Sequence, residues 1–147
     1  AAEKEIGEIL INCSRDGMID AAHDLSEGGL SQALVESCLR YGTGARIWLD
    51  EVCERDGVDV FTALFSESTA RAIVAVPRSE EVRFKDMCTA RRFPFVRIGM
   101  TDSGDPDPSL DIVDHFSIGL DELRETHEGT LPNQFGGSVA AVTETAV

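Results

Sequence analysis

The feature that most limits the fold of this chain is the alternation of amphipathic helical segments with short apolar runs. Residues 1–15 carry apolar side chains at positions i, i+3, i+4 and i+7, the spacing of a helix with one buried face. Residues 30–41 repeat that spacing and end at the breaker Gly42-Thr43-Gly44. Because helical and extended segments alternate, we expect an α/β or α+β domain whose sheet is covered by helices.

The predicted strands differ in how their apolar residues are arranged. Residues 45–49 alternate, with Arg46 and Trp48 on the face opposite Ile47. Residues 71–76 form a nearly continuous apolar run, which is typical of a central strand covered on both faces. The pattern also predicts strands at 18–22 and 95–100 and two short strands within 110–118. It predicts an acidic loop at 50–59, and helices at 60–65, from a Ser79 cap onward and at 120–127.

Domain organisation and charge narrow the class of protein. A single domain of residues 1–136 accounts for most of the chain, and residues 137–147 have no core pattern and are predicted to be a flexible tail. The net charge of −14 argues against nucleic acid or an anionic membrane as a partner, because both require a basic surface. The four cysteines form no C-x-x-C pair, and no apolar N-terminal segment is present, so we expect a cytoplasmic protein with reduced thiols.

The segment AHDLSEGGL, residues 22–30, is the first candidate site. Asp24 or Ser26 is predicted to cap the following helix, and Gly28 and Gly29 would let a ligand or another backbone approach the helix start. The segment follows a predicted strand, which is where α/β folds commonly bind ligands. Glu27, predicted in the first helical turn, would compete with a phosphate for the helix dipole.

His23 has two interpretations from the residues alone. It is a candidate ligand-binding residue, and a histidine titrates near neutral pH, where proton transfer is useful. No serine, cysteine or metal-ligand pattern accompanies it, so a packed, supporting histidine is the alternative.

The segment LFSESTAR, residues 64–71, is the second candidate site. Glu67, Ser68 and Arg71 supply a carboxylate, a hydroxyl and a guanidinium, a set that is able to hold a ribose and a phosphate. The alternative is a turn in which Ser66 and Ser68 bond the backbone and Arg71 pairs with Glu67.

The two segments together resemble the C-terminal domain of the superfamily of aminoimidazole ribonucleotide synthetase, selenophosphate synthetase and phosphoribosylformylglycinamidine synthase. The closing LDELRETHEGTLPNQFG is similar to the end of the large synthetase subunit of the last of these. The resemblance covers residues 1–136. It implies an α+β fold of three layers, helix/sheet/helix, partly ferredoxin-like.

For function, the resemblance implies one domain of an ATP-dependent ligase of purine biosynthesis. Such a ligase converts formylglycinamide ribonucleotide and ammonia into formylglycinamidine ribonucleotide, with ATP and magnesium bound by the full-length enzyme. The implied partners are the half-barrel and α/β domains of the same subunit, a glutaminase subunit and a small accessory subunit.

For the site, the family pattern E-S-x-x-R falls on Glu67, Ser68 and Arg71, and Ser66 stands where that pattern usually has glycine. The resemblance implies that the counterpart of this loop forms a substrate site in the first-half domain and an auxiliary nucleotide site in the second. The family's catalytic histidine and magnesium carboxylates belong to other domains, and this sequence has no P-loop. We therefore expect the isolated chain to be inactive and to bind no cofactor tightly.

Two alternatives stay open at this point. The chain could be a non-catalytic acidic dimerisation or binding module, in which both segments are only caps and turns. It could also be the matching domain of another superfamily member, such as selenophosphate synthetase.

Overall fold

The computed structural model describes residues 2–135, and their side chains as far as residue 129. The α-helices are α1 (Ala2–Arg15), α2 (Gly29–Tyr41), α3 (Asp50–Asp56), α4 (Val60–Phe65), α5 (Glu81–Ala90) and α6 (Leu120–Phe135). The strands are β1 (Ala21–Asp24), β2 (Gly44–Ile47), β3 (Ala72–Ala75), β4 (Gly99–Asp102), β5 (Ser109–Ile112) and β6 (Phe116–Gly119). The predicted tail, 137–147, lies outside the described residues.

The strands form two sheets. β1 and β3 make an antiparallel pair, and the other four strands form a sheet in the order β4-β2-β5-β6. In the larger sheet, β2 is antiparallel to β4 and parallel to β5. A parallel pair needs a long crossover, and here the chain between β2 and β5 contains α3, α4, β3, α5 and β4. The predicted α+β class is confirmed.

Most of the core lies between the larger sheet and α2. Leu30, Leu34 and Cys38 of α2 are buried in one cluster with Ile47 and Ile112 of neighbouring strands. The alternation predicted for residues 45–49 is confirmed, because Ala45, Ile47 and Leu49 are buried whereas Arg46 and Trp48 are exposed. A smaller cluster joins α1 to α5, and its members are Ile9, Cys13, Met18, Ile19, Phe84, Met87 and Phe93.

Several predicted segment limits are wrong, and each has a local cause. Residues 50–59 were expected to be a loop, but α3 forms there. Asp50 and Glu51 lie in its first turn, where carboxylates favour the helix dipole, and Gly57 ends it in a left-handed conformation. Other differences from the predicted limits are smaller. β1 begins three residues later than predicted and β4 four residues later, and α6 continues past residue 127. A 3₁₀ turn at Arg78–Glu80 stands where Ser79 was predicted to cap the helix.

The apolar run at 71–76 was expected to be a central strand, and this is also wrong. Among the described residues, β3 pairs with β1 alone, and all four of its side chains are only partly buried. This pairing matters for the site, because it places the end of β1 beside the start of β3. His23 is in register with Ile73, and Asp24 with Ala72.

Thiol labelling gives a simple test of this packing. Cys13, Cys38 and Cys88 are buried, and Cys53 is partly exposed. Burial raises the pKa of Cys38 to about 11, which removes its reactive thiolate at neutral pH. We expect a thiol reagent to label Cys53 quickly in the native chain and the other three only after denaturation. Rapid native labelling of Cys38 would contradict the core described above.

Candidate functional site

The two candidate segments meet at the start of α2. The amide of Leu25 donates a hydrogen bond to the carbonyl of Arg71, with an N···O distance of 3.1 Å. The amide of Gly28 donates to the carboxylate of Glu67 at 3.0 Å. Both bonds follow from the antiparallel pairing of β1 with β3, which draws together loops that are about forty residues apart in the sequence.

The glycine pair explains how close these loops come. Gly28 and Gly29 both have left-handed backbones, with φ of 70° and 64°. A Cβ on Gly29 would lie 2.7 Å from the carbonyl oxygen of Ser66 and 2.9 Å from that of Leu64. The close approach that Gly29 permits is therefore made by the chain's own backbone. Ser66 itself has an extended backbone that any residue adopts, with φ of −70° and ψ of 130°.

The predicted caps of α2 are wrong. The N-cap residue is Gly28, and no side chain caps the helix there. Asp24 instead accepts a hydrogen bond from the hydroxyl of Ser26, which lowers the pKa of the Asp24 carboxyl. Glu27 precedes the helix rather than occupying its first turn, and the carboxylate that reaches the helix start is that of Glu67. The cause is the left-handed glycine, which turns the chain before a side-chain cap can form.

An open cavity of about 390 Å³ lies at this junction. Five of its seven lining residues belong to the segment AHDLSEGGL, and the other two come from the body of α2. The lining consists of His23, Asp24, Ser26, Glu27, Gly28, Gln32 and Glu36. The predicted residues of the first segment are thus brought together, except Gly29, which packs against the second segment.

His23 is the one basic side chain of the cavity lining, and it is held at both ring nitrogens. Nδ1 lies 2.7 Å from the backbone carbonyl oxygen of Asp24, and Nε2 lies 2.7 Å from Oε2 of Glu36. The carbonyl contact, followed by the carboxylate, raises the pKa of His23 above its ordinary value of 6.5. About 30% of the His23 side chain remains exposed, so solvent screens part of this interaction.

Gln32 and Glu36 were not predicted as site residues. The amide of Gln32 donates to Oε1 of Glu36 at 2.6 Å, and this bond, then the contact with His23, lowers the pKa of Glu36 below its ordinary 4.5. The sequence did hold a signal, because positions 28, 32 and 36 are four residues apart and share one side of a helix. The apolar stripe of the same helix is the stronger pattern, and it indicates the side that faces the core rather than the side that faces the cavity.

The pH dependence of this pair follows from the two shifts. The stabilisation from His23 is complete below pH 6.5 and is lost as the pH rises through its raised pKa. The stabilisation from Glu36 is complete above pH 4.5 and is lost as the pH falls through its lowered pKa. Both contributions are therefore present together between pH 4.5 and 6.5.

Ser68 and Arg71 lie outside the cavity lining. Both are partly buried, and Arg71 does not pair with Glu67, so the alternative of a turn closed by that ion pair is wrong. The pKa of Asp56 is lowered by its hydrogen bond with Arg55 and, more weakly, by the charge of Arg71. Arg71 therefore lies near an acidic helix end rather than inside the cavity.

The described residues do not fit a metal centre. Within residues 2–129, no three His, Cys, Asp or Glu side chains are grouped so that they could hold an ion. Two of the three carboxylates of the lining already have partners, since Asp24 accepts from Ser26 and Glu36 from Gln32. The Gly28 amide already donates to Glu67 and the Ser26 hydroxyl to Asp24. The arrangement therefore suits a ligand that donates hydrogen bonds to the Ser26 hydroxyl oxygen and the Glu27 carboxylate. No helix in the described part of the chain is long and apolar enough to cross a membrane.

Comparison with known proteins gives consistent matches. The family model described as AIR synthase related protein, C-terminal domain, matches residues 1–107. The phosphoribosylformylglycinamidine synthase subunit PurL of Renibacterium salmoninarum is 66% identical over 134 residues, which are 91% of this chain and 17% of that protein. The chain therefore spans only a small part of the length of such relatives.

Two solved structures of Thermotoga maritima PurL are similar in fold. The complex with FGAR matches with a TM-score of 0.66 and 23% identity, over 82% of this chain and 20% of that one. The complex with ATP matches with a TM-score of 0.63 and 19% identity, over 80% and 21%. At such identities the likeness concerns the fold alone.

Proposed function

The chain belongs to the AIR synthase related protein family, as a C-terminal domain of that family, and we propose that it is the last α/β domain of the synthetase subunit of a phosphoribosylformylglycinamidine synthase. The full polypeptide converts formylglycinamide ribonucleotide and ammonia into formylglycinamidine ribonucleotide with ATP. The identity of 66% with a PurL subunit supports this choice over selenophosphate synthetase or an unrelated acidic dimerisation module.

Cofactors and partners are part of the same proposal. We propose that ATP and magnesium bind in the full-length enzyme, with the magnesium ligands in its other domains. The half-barrel and α/β domains of the same polypeptide complete the site. The partners of that polypeptide are a glutaminase subunit and a small accessory subunit, in the cytoplasm. The similarity to a PurL subunit of Renibacterium salmoninarum supports an assembly of this kind.

The role of this domain is to shape a site for a phosphate-bearing ligand, and the observation that carries this role is the junction of the two segments. The Glu67–Gly28 hydrogen bond and the Gly29–Ser66 contact fix the loop 66–71 against the start of α2. Ser26, Glu27 and Gly28 then face the cavity from one side of the junction. Ser68 and Arg71 lie outside the cavity, with Arg71 near Asp56 at the end of α3, and we assign to them contact with a ligand that a neighbouring domain holds.

Steady-state kinetics of the full-length polypeptide test this role through Arg71→Ala. A hydrogen bond to a charged group contributes about 1.5–3 kcal/mol, so we expect the KM of ATP or of formylglycinamide ribonucleotide to rise about tenfold or more. The matched control is Arg15→Ala, which removes an exposed arginine at the end of α1. Equal KM values in the two variants, or turnover by the isolated 147-residue chain, would argue against the proposed role.

A further inference from the structure

The two contacts of the His23 ring limit its protonation state, and the proposed function does not depend on that state. Its two ring nitrogens each face one oxygen, that of the Asp24 backbone carbonyl and Oε2 of Glu36, both at 2.7 Å. A backbone carbonyl only accepts hydrogen bonds, and an ionised carboxylate likewise only accepts. A neutral imidazole has one N–H and one bare nitrogen, so it would leave one of these contacts as two opposed lone pairs.

Two protonation patterns satisfy both contacts, and the environment of Glu36 separates them. Either His23 is doubly protonated, or Glu36 is a neutral acid that donates to a neutral ring. The Gln32 amide donates to the other oxygen of Glu36 at 2.6 Å, and this bond favours the ionised carboxylate. The pKa of Glu36 is correspondingly lowered and that of His23 raised, which agrees with the doubly protonated ring.

We propose that Glu36, oriented by Gln32, is a positioning residue that holds His23 as a doubly protonated cation and so fixes the strand end from which Asp24 and Ser26 reach the cavity. In this state His23 has no free nitrogen, so it is neither a general base nor a metal ligand. Direct contact with the ligand falls to Ser26 and Glu27 of the cavity lining. The inference rests on the proposed function only in treating the cavity as a ligand site.

Three elements place charged groups around the His23 ring. Asp24 of β1 places a carboxylate oxygen 3.7 Å from Nδ1 of His23, and Glu36 faces Nε2 from α2. His127 of α6 acts on the Glu36 carboxylate through its charge. His23 is thus flanked by two carboxylates, and the charge of His127 contributes to the lowered pKa of one of them, Glu36.

Nitrogen NMR of the imidazole rings in the 147-residue chain is the direct test. We expect both ring nitrogens of His23 to carry protons at pH 7. In Glu36→Gln, the side-chain oxygen still accepts a hydrogen bond but the charge is gone, so His23 should become singly protonated at pH 7 and titrate at lower pH. Glu54→Gln, which removes an exposed carboxylate of α3, is the matched control and should leave the His23 signals unchanged.

Kinetics of the full-length polypeptide give a second readout that a merely structural role would not produce. Glu36→Ala should raise the KM of ATP or of formylglycinamide ribonucleotide severalfold with little change in kcat, and Glu36→Gln should recover part of that loss because it keeps the hydrogen bond. A bare nitrogen on His23 at pH 7 in the wild-type chain overturns the inference, as does an unchanged KM in Glu36→Ala. The NMR test needs no ligand, so a failure of the proposed His23–Glu36 ion pair is distinguishable from a failure of the proposed function.

Discussion

Replacing Gly29 with alanine should lower the free energy of unfolding by about 3 kcal/mol. An alanine in the left-handed conformation costs about 1–2 kcal/mol, and Gly29 has a φ of 64°. The new Cβ would also lie 2.7 Å from the carbonyl oxygen of Ser66, a backbone atom that cannot rotate away as a side chain can. Such overpacking costs a further 1–3 kcal/mol or so.

The matched control is Gly42→Ala at the other end of the same helix. Gly42 has a φ of 61°, and its added Cβ would meet no atom within 4 Å. Urea unfolding of both variants separates the two costs, because Gly42→Ala carries only the backbone cost of about 1–2 kcal/mol. Equal losses in the two variants would mean that the loop 66–71 yields easily, and the junction would then be too soft to shape a site.

The sequence predicts this junction only in part. The segment AHDLSEGGL and the segment LFSESTAR each stood out by composition, and the resemblance to a known superfamily joined them. Their physical connection is the β1–β3 pairing, which depends on residues that are about fifty positions apart. The apolar run at 71–76 indicated a strand without indicating its neighbour, so the edge role of β3 could not be read from it.

The wrong caps have the same origin. A serine or aspartate before a helix predicts a cap from local preference, and Asp24 and Ser26 satisfied that pattern. In the structure the two side chains bond each other, and Glu67 reaches Gly28 from another loop. Gln32 and Glu36 were missed for a related reason, since their partner His23 lies on a strand and periodicity describes one element at a time.

Gly99→Ala should lower the free energy of unfolding at least as much as Gly29→Ala, by about 3 kcal/mol, because of a close contact within the sheet. A Cβ on Gly99 would lie 2.2 Å from the carbonyl oxygen of Arg46 on the neighbouring strand and 2.9 Å from Cδ1 of Ile47. Because β2 and β4 pair directly here, with Ile47 opposite Gly99, the strands must separate to admit the methyl group. This crowding also suggests why β4 begins at a glycine although the apolar pattern predicted residues 95–100.

Trp48 makes the separation of β4 visible, because it is the chain's one tryptophan and its amide donates to the carbonyl of Ile98 at 2.7 Å. Urea unfolding of Gly99→Ala should show the loss of stability, and Trp48 emission in the native variant should move to longer wavelength as β4 withdraws. Gly119→Ala is the control within the same sheet, since its Cβ would meet nothing within 4 Å, and it should change stability by no more than about 0.5 kcal/mol. If Gly99→Ala behaved like Gly119→Ala, the register of β4 on β2 would be wrong, and with it the sheet that supports α2 and the cavity at its start.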